Sequence, residues 1–230
     1  MGTSSSRRSP DMAVWRLLNR QIEQGLPTEA LARTLFRAAD GEWRELISGP
    51  GVLIFAQRAA SLWSTLPEAL SRHEHASQAL AETAREARVD AISAGYVSQA
   101  VPLAERALYR TLLGSLREQE QGGEDPPAAE AGHSWEARRP ATAEALAQRF
   151  LAETLREAAA YIVSRDAPQH LGPSLRDVSA SIDLEDRLGG IAAATAYATT
   201  LTQVDAADWA SCVTAAFEAG AGRTAQGGAS

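Results

Sequence analysis

The stretch Asp208–Gly220, DWASCVTAAFEAG, decides the fold class. Trp209, Cys212, Val213, Ala216 and Phe217 fall at i, i+3, i+4, i+7 and i+8. That spacing lines one face of a helix with 3.6 residues per turn, and it cannot line one face of a strand. Moving outward, the same period returns in segment after segment. Upstream, GGIAAATAYA (Gly189–Ala198) is a small-residue stretch suited to close helix packing. Pro140 opens a long helix to about Arg165 with Leu151, Leu155, Ala159 and Ile162 inward. A loop is expected around Pro168–Pro173. Pro102 opens a helix carrying Leu108, Leu112 and Leu116, and Pro67 fits the start of a long helix to about Gly95. Val52–Leu66 is strongly apolar and follows the break Gly49-Pro50-Gly51. Thr28 can cap a helix with Leu31, Leu35 and Ala39 aligned, and Asp11 a first helix ended by Gly25.

No segment alternates as a strand does. The expectation is an all-α protein, a helical bundle or array, as one continuous body or two lobes. Its divisions would be a flexible tail at 1–10, a helical lobe at 11–121, a linker at 122–139, a second lobe at 140–219 and a disordered tail at 220–230. The linker rests on GGEDPPAAEAGHS (Gly122–Ser134), rich in Gly, Pro, Ala and acid. Trp15-Arg16-x-Leu and Trp43-Arg44-x-Leu share a pattern too short to define a repeat.

Composition narrows function by exclusion. All 22 basic residues are arginine, so chemistry that needs a P-loop lysine, a Schiff-base lysine or a Ser–Lys dyad has no residue to use. Arginine and alanine in place of lysine and isoleucine point to a high-GC bacterial genome. A net charge of −7 opposes nucleic-acid binding as the main activity, because phosphate contacts need a basic face. One cysteine, Cys212, allows neither an intrachain disulfide nor a Cys-based zinc site, and it falls on the apolar stripe. No apolar run is long enough to span a bilayer, and Ser6-Arg7-Arg8 lacks the apolar segment of a twin-arginine signal. A cytoplasmic protein without cofactor is expected.

The side chains that could carry chemistry each have a plainer reading. On a helix, His73 and His75 of His73-Glu74-His75 point about 200° apart and cannot share a metal, so a solvated polar face is expected. His133 sits in the linker and His170 in a loop. Asp183, Glu185 and Asp186 are read as carboxylates just before a helix, where its dipole favours them. A paired-carboxylate hydrolase is the alternative use of the same three. Gly220-Ala221-Gly222-Arg223-Thr224 lacks the lysine of a phosphate loop. The reading is of no catalytic residue and no metal site: not an enzyme.

The N-terminus, Met1-Gly2-Thr3-Ser4-Ser5-Ser6, is left to carry function, with three readings. It is a leader of small residues, or an N-myristoylation signal of the Met-Gly-x-x-x-Ser type, or a recognition tail. For the third, MGTSSS resembles the start of QatB, the B component of the Qat anti-phage defence system. The resemblance is confined to Met1–Ser6; from Arg7-Arg8-Ser9-Pro10 onward the chain departs from the family. It implies a non-catalytic protein modified at Gly2 by a QueC-like, ATP-dependent partner of the same operon, which joins a 7-deazaguanine group to the glycine. Thr3, Ser4, Ser5 and Ser6 would be the recognition tail. The chemistry is workable: an α-amine with a pKa of about 7.7–8.0 is partly uncharged, and so nucleophilic, near neutral pH. A helical adaptor or scaffold without modification is the alternative.

Overall fold

A computed structural model of the chain describes residues 12–117, 126–170 and 178–222, and all of it that is regular is helical, as the periodicities require. Helix α1 (Met12–Glu23) buries Trp15 and Leu18 and stops where Gly25 takes a φ of +64°, a left-handed turn that favours glycine. Helix α2 (Thr28–Ala39) buries Leu31, Leu35 and Phe36, and Gly41 at φ +96° turns the chain into the short α3 (Glu42–Ser48). Then come α4 (Pro50–Leu70), α5 (Ala76–Ser93), α6 (Ala100–Arg117), α7 (Ala128–Arg138), α8 (Ala143–His170), α9 (Val178–Thr195), the 3-10 turn η1 (Ala196–Ala198) and α10 (Ala206–Gly220). Among the described residues there is no strand. One isolated bridge pairs His75 with Pro127.

The two longest helices, α4 and α8, form the centre. Helix α4 packs against α5, α6, α7 and α8, and α8 against α4, α6 and α9. An aromatic column runs through this centre and out to the last helix. Phe55 on α4 and Phe150 on α8 stack with centroids 6.4 Å apart, and Phe150 and Trp209 on α10 with centroids 6.0 Å apart. Trp209 then donates its indole N–H to the carbonyl of Ile47 at the end of α3, at 2.9 Å. Phe36 on α2 meets Phe217 on α10 edge to face at 5.4 Å. The approach there is close: a Cβ on Gly220 would lie 2.5 Å from the Phe36 ring. Helices from both ends of the chain therefore share one contiguous core, and the array is continuous instead of bilobed.

Four expected boundaries move. Pro67 lies inside α4 and does not begin a helix. A proline has no N–H to give the carbonyl four residues back, which here is that of Trp63. Trp135 Nε1 at 3.3 Å and Arg139 Nη1 at 3.1 Å donate to that carbonyl instead. Trp63 Nε1 in turn donates to the Pro140 carbonyl at 2.7 Å, and the Arg139 guanidinium sits 3.9 Å from the centre of the Trp63 ring. The same contacts overturn the linker: residues 128–138 form α7, with Ala128, Ala131 and Trp135 buried, while 122–125 lie outside the described residues.

Further on, α8 continues through Pro168 to His170, where a loop is expected. At the C-terminus, the disordered tail expected from 220 is corrected for its first residues. Gly220 and Ala221 are buried, and Arg37 Nε donates to the Ala221 carbonyl at 3.1 Å. Residues 1–10 and 223–230, expected as tails, lie outside the described residues.

Phe150→Ala removes the middle of the aromatic column, and a cost of about 3–5 kcal/mol is expected from the lost burial and the cavity left behind. Urea unfolding followed by tryptophan fluorescence and by far-ultraviolet circular dichroism should show one coincident transition, moved to lower urea. Two separated transitions would contradict a shared core.

Candidate functional site

Gly2, Thr3, Ser4, Ser5 and Ser6 lie outside the described residues, and the side chain of His170 is not described. Arg223 and Thr224 also lie outside them, and the other candidate side chains have places. His73, Glu74 and His75 are in the connection between α4 and α5, not on a helix face. Their backbone is tied to the start of α7: Ala76 N–H donates to the Pro126 carbonyl at 3.2 Å and Ala128 N–H to the Glu74 carbonyl at 3.0 Å. His73 Nε2 is 3.6 Å from Glu82 Oε2, and His133 Nδ1 is 2.8 Å from the Ala129 carbonyl. His73 and His133 line one depression of about 320 Å³, a proximity with no trace in their spacing. Among the described residues no three of His, Cys, Asp and Glu gather as metal ligands would.

Asp183, Glu185 and Asp186 stand inside α9 instead of before it, which removes the dipole explanation, since that effect fades within the first turn. Asp183 is exposed and pairs with Arg187 at 3.7 Å. The carboxylate that caps a helix is Asp205, which accepts from the N–H groups of Ala207 and Asp208, both at 2.9 Å. Asp208 itself accepts from Thr202 N–H at 2.7 Å, Gln203 N–H at 2.8 Å and the Thr202 hydroxyl at 2.9 Å. These bonds, led by the Gln203 amide, hold its carboxyl below its ordinary value. Cys212 is buried, as its place on the stripe implies. Burial, with the nearby Asp208 carboxylate, pushes its thiol up to about 11. Gly189 serves close packing as expected, because a Cβ there would meet Arg156 Cγ at 3.0 Å.

A gathering of charge lies where α6 packs on α8. On α6, Arg106, Arg110 and Gly114 follow one another at four-residue steps; on α8, Arg149, Glu153 and Glu157 do the same. Four residues is a little more than one turn, so each triplet forms a row, and the two rows face each other. Glu157 is almost wholly buried and holds two guanidiniums, Arg106 Nε on Oε2 and Arg110 Nη1 on Oε1, both at 2.8 Å. Burying a carboxylate is costly unless it is paired, and two arginines from the next helix supply the pairing. Glu153 pairs with Arg156 at 3.1 Å, and Arg149 Nη1 lies 3.5 Å from Ser115 Oγ. Beside these rows is a cleft of about 230 Å³, with Tyr197 of η1 at its rim.

The turn that brings Tyr197 there is fixed by another buried side chain. Gln148 Nε2 donates to the carbonyls of Ala196 and Thr199, and its Oε1 accepts from Leu201 N–H. Reading the chain for apolar stripes found Leu108, Leu112 and Leu116 on α6 and missed the charged row beside them. The signal that could have found it is the matched period of arginines on one helix and glutamates on another.

No protein-family model, curated protein or solved structure matches the chain. No described helix is long and apolar enough to cross a membrane.

Two expectations follow for the α10 region. Asp208 has a folded pKa below its ordinary 3.8, so its contribution is complete above about pH 3.8 and is lost as the pH falls through the lower folded value. The stability difference between the native chain and Asp208→Asn should therefore be largest at neutral pH and shrink below pH 3.8, as read by urea midpoints at a series of pH values. The Cys212 thiol should resist iodoacetamide at pH 8 in the folded chain and react at an ordinary rate in urea, monitored by mass.

Proposed function

We propose that this chain is a non-catalytic component of a bacterial anti-phage defence system, acting in the cytoplasm, that partner proteins recognise through its N-terminal segment. Methionine aminopeptidase first hydrolyses the Met1–Gly2 bond and frees the Gly2 amine; a QueC-like, ATP-dependent enzyme of the same operon then joins a 7-deazaguanine-type group to that amine, and Thr3–Ser6 form the tail that the enzyme grips. The observation that carries the reading is the string Met1-Gly2-Thr3-Ser4-Ser5-Ser6 itself, small and hydroxyl-bearing ahead of the first helix. Glycine at position 2 offers an unhindered amine, and short hydroxyl side chains can follow it into a narrow site in extended form.

The helical body is consistent with a supporting role. Gln148, Trp209, Trp63 and Arg139 are buried or half-buried polar side chains, and each is engaged in joining helices. Recognition by a partner then falls to surfaces and to the segment that precedes α1. A helical adaptor that binds partners without being modified uses the same body and differs only at Gly2.

Intact-mass and N-terminal peptide mass spectrometry on protein made together with its neighbouring genes separates the two. An added mass on Gly2 is expected, lost when the QueC-like gene is deleted and lost in Gly2→Pro with the circular dichroism spectrum unchanged. An unmodified Gly2 in protein that is active in defence assays would leave the adaptor reading.

A further inference from the structure

Helix α5 packs beside α6, and past Leu80 its buried side chains are only Thr83 and alanines. Side chains that short leave a groove of about 420 Å³ between the two helices, with Ala81 and Ala84 on one wall and Tyr109 and Leu113 on the other. Three charged side chains of α6 line the same groove: Glu105, Arg106 and Arg110. Glu105 is neutralised by Arg88 of α5 at 2.9 Å. Arg106 and Arg110 share a single carboxylate, that of Glu157 on α8, each at 2.8 Å. Two guanidiniums on one carboxylate leave the lining with one positive charge in excess, on a chain whose net charge is −7. Glu157 keeps 5% of its side chain exposed, while Arg106 keeps 52% and Arg110 54%. The buried carboxylate therefore fixes both arginines without covering them, and each retains further N–H donors.

We infer that this groove binds a small amphipathic carboxylate. Its charged end sits on Arg106 and Arg110, and its apolar body lies along Ala81, Ala84, Tyr109 and Leu113. One carboxylate cancels the single excess charge, whereas a phosphate monoester, at about −1.5 to −2 near pH 7, would overshoot it. Guanidinium forks suit carboxylate oxygens geometrically. Arginines already held by Glu157 lose little freedom when they take a second partner. The body of the ligand follows from the walls, which are methyl groups on one side and a phenol ring and a leucine on the other. A volume of about 420 Å³ falls within the range of about 300–1,000 Å³ of small-ligand pockets, which pair a mostly apolar lining with a few polar groups in the same way.

The test is calorimetric titration of the full chain with 4-phenylbutyrate and, separately, with octanoate, each beside its own neutral amide. Saturable binding of at least one acid is expected, with its amide weaker by about tenfold, the loss of one charge-assisted hydrogen bond. Arg106→Gln leaves Glu157 paired with Arg110 and removes the excess charge. In that variant the acid should weaken to the level of the amide, and the amide should not change. Ala81→Leu fills the groove from an exposed helix position, where leucine is nearly as good a helix former as alanine. It should weaken acid and amide alike, with the circular dichroism spectrum unchanged. The tighter of the two acids assigns an aromatic or an aliphatic body. No saturable binding of either acid, an amide that binds as tightly as its acid, or acid binding that either variant leaves unchanged overturns the inference.

Discussion

The column Phe55–Phe150–Trp209 is the constraint from which the rest of the structure follows. Each ring belongs to a different helix, and the indole at its end also hydrogen-bonds the last turn of α3. With those rings in place, α4 and α8 lie side by side and α10 must close over α2 and α3. The remaining helices fill the flanks. The column explains why alanine can dominate the other buried positions: once large rings set the spacing, small side chains such as Ala56, Ala59, Ala147 and Ala216 let the backbones come close. Gly220 beneath the Phe36 ring and Gly189 beneath Arg156 carry that approach to its limit.

Buried polar groups do a second kind of work, which is to join elements that apolar contact alone would leave free to slide. Apolar packing has no direction; a hydrogen bond does. Gln148 fixes the η1 turn with both ends of its amide. The Trp63 carbonyl, released by Pro67, fixes α7 through Trp135 and Arg139. In both cases a backbone group that a helix or turn leaves without a local partner finds one on a distant side chain. Each such group would cost about 1–3 kcal/mol if it were buried without that partner. The irregular points of the chain are consequently also its points of long-range connection.

The charged rows of α6 and α8 join helices in the same way. Glu157 can be buried because it is paired, and both of its arginines, Arg106 and Arg110, come from the neighbouring helix.

The sequence by itself determined the fold class, the helix faces and most of the core. Trp209, Cys212, Val213, Ala216 and Phe217 are buried together because their spacing matches the helical repeat, and the same holds for Leu108, Leu112 and Leu116. Local periodicity decides such things, and periodicity is written in the chain. It also contained MGTSSS, on which the functional reading rests. Tertiary structure alone decided that Pro67 could stay within a helix, that Ala128–Arg138 is a helix and no linker, and that one core joins both halves. Each of these depends on a donor or a ring supplied from far along the chain: Trp135 lies 72 residues from the carbonyl it satisfies, and Trp209 lies 162 from its own. The cleft belongs to the same class. Its two rows of charge are legible separately, but only the packing of α6 on α8 sets them face to face, because what charges do together depends on distance, and distance in space is not ordered along the chain.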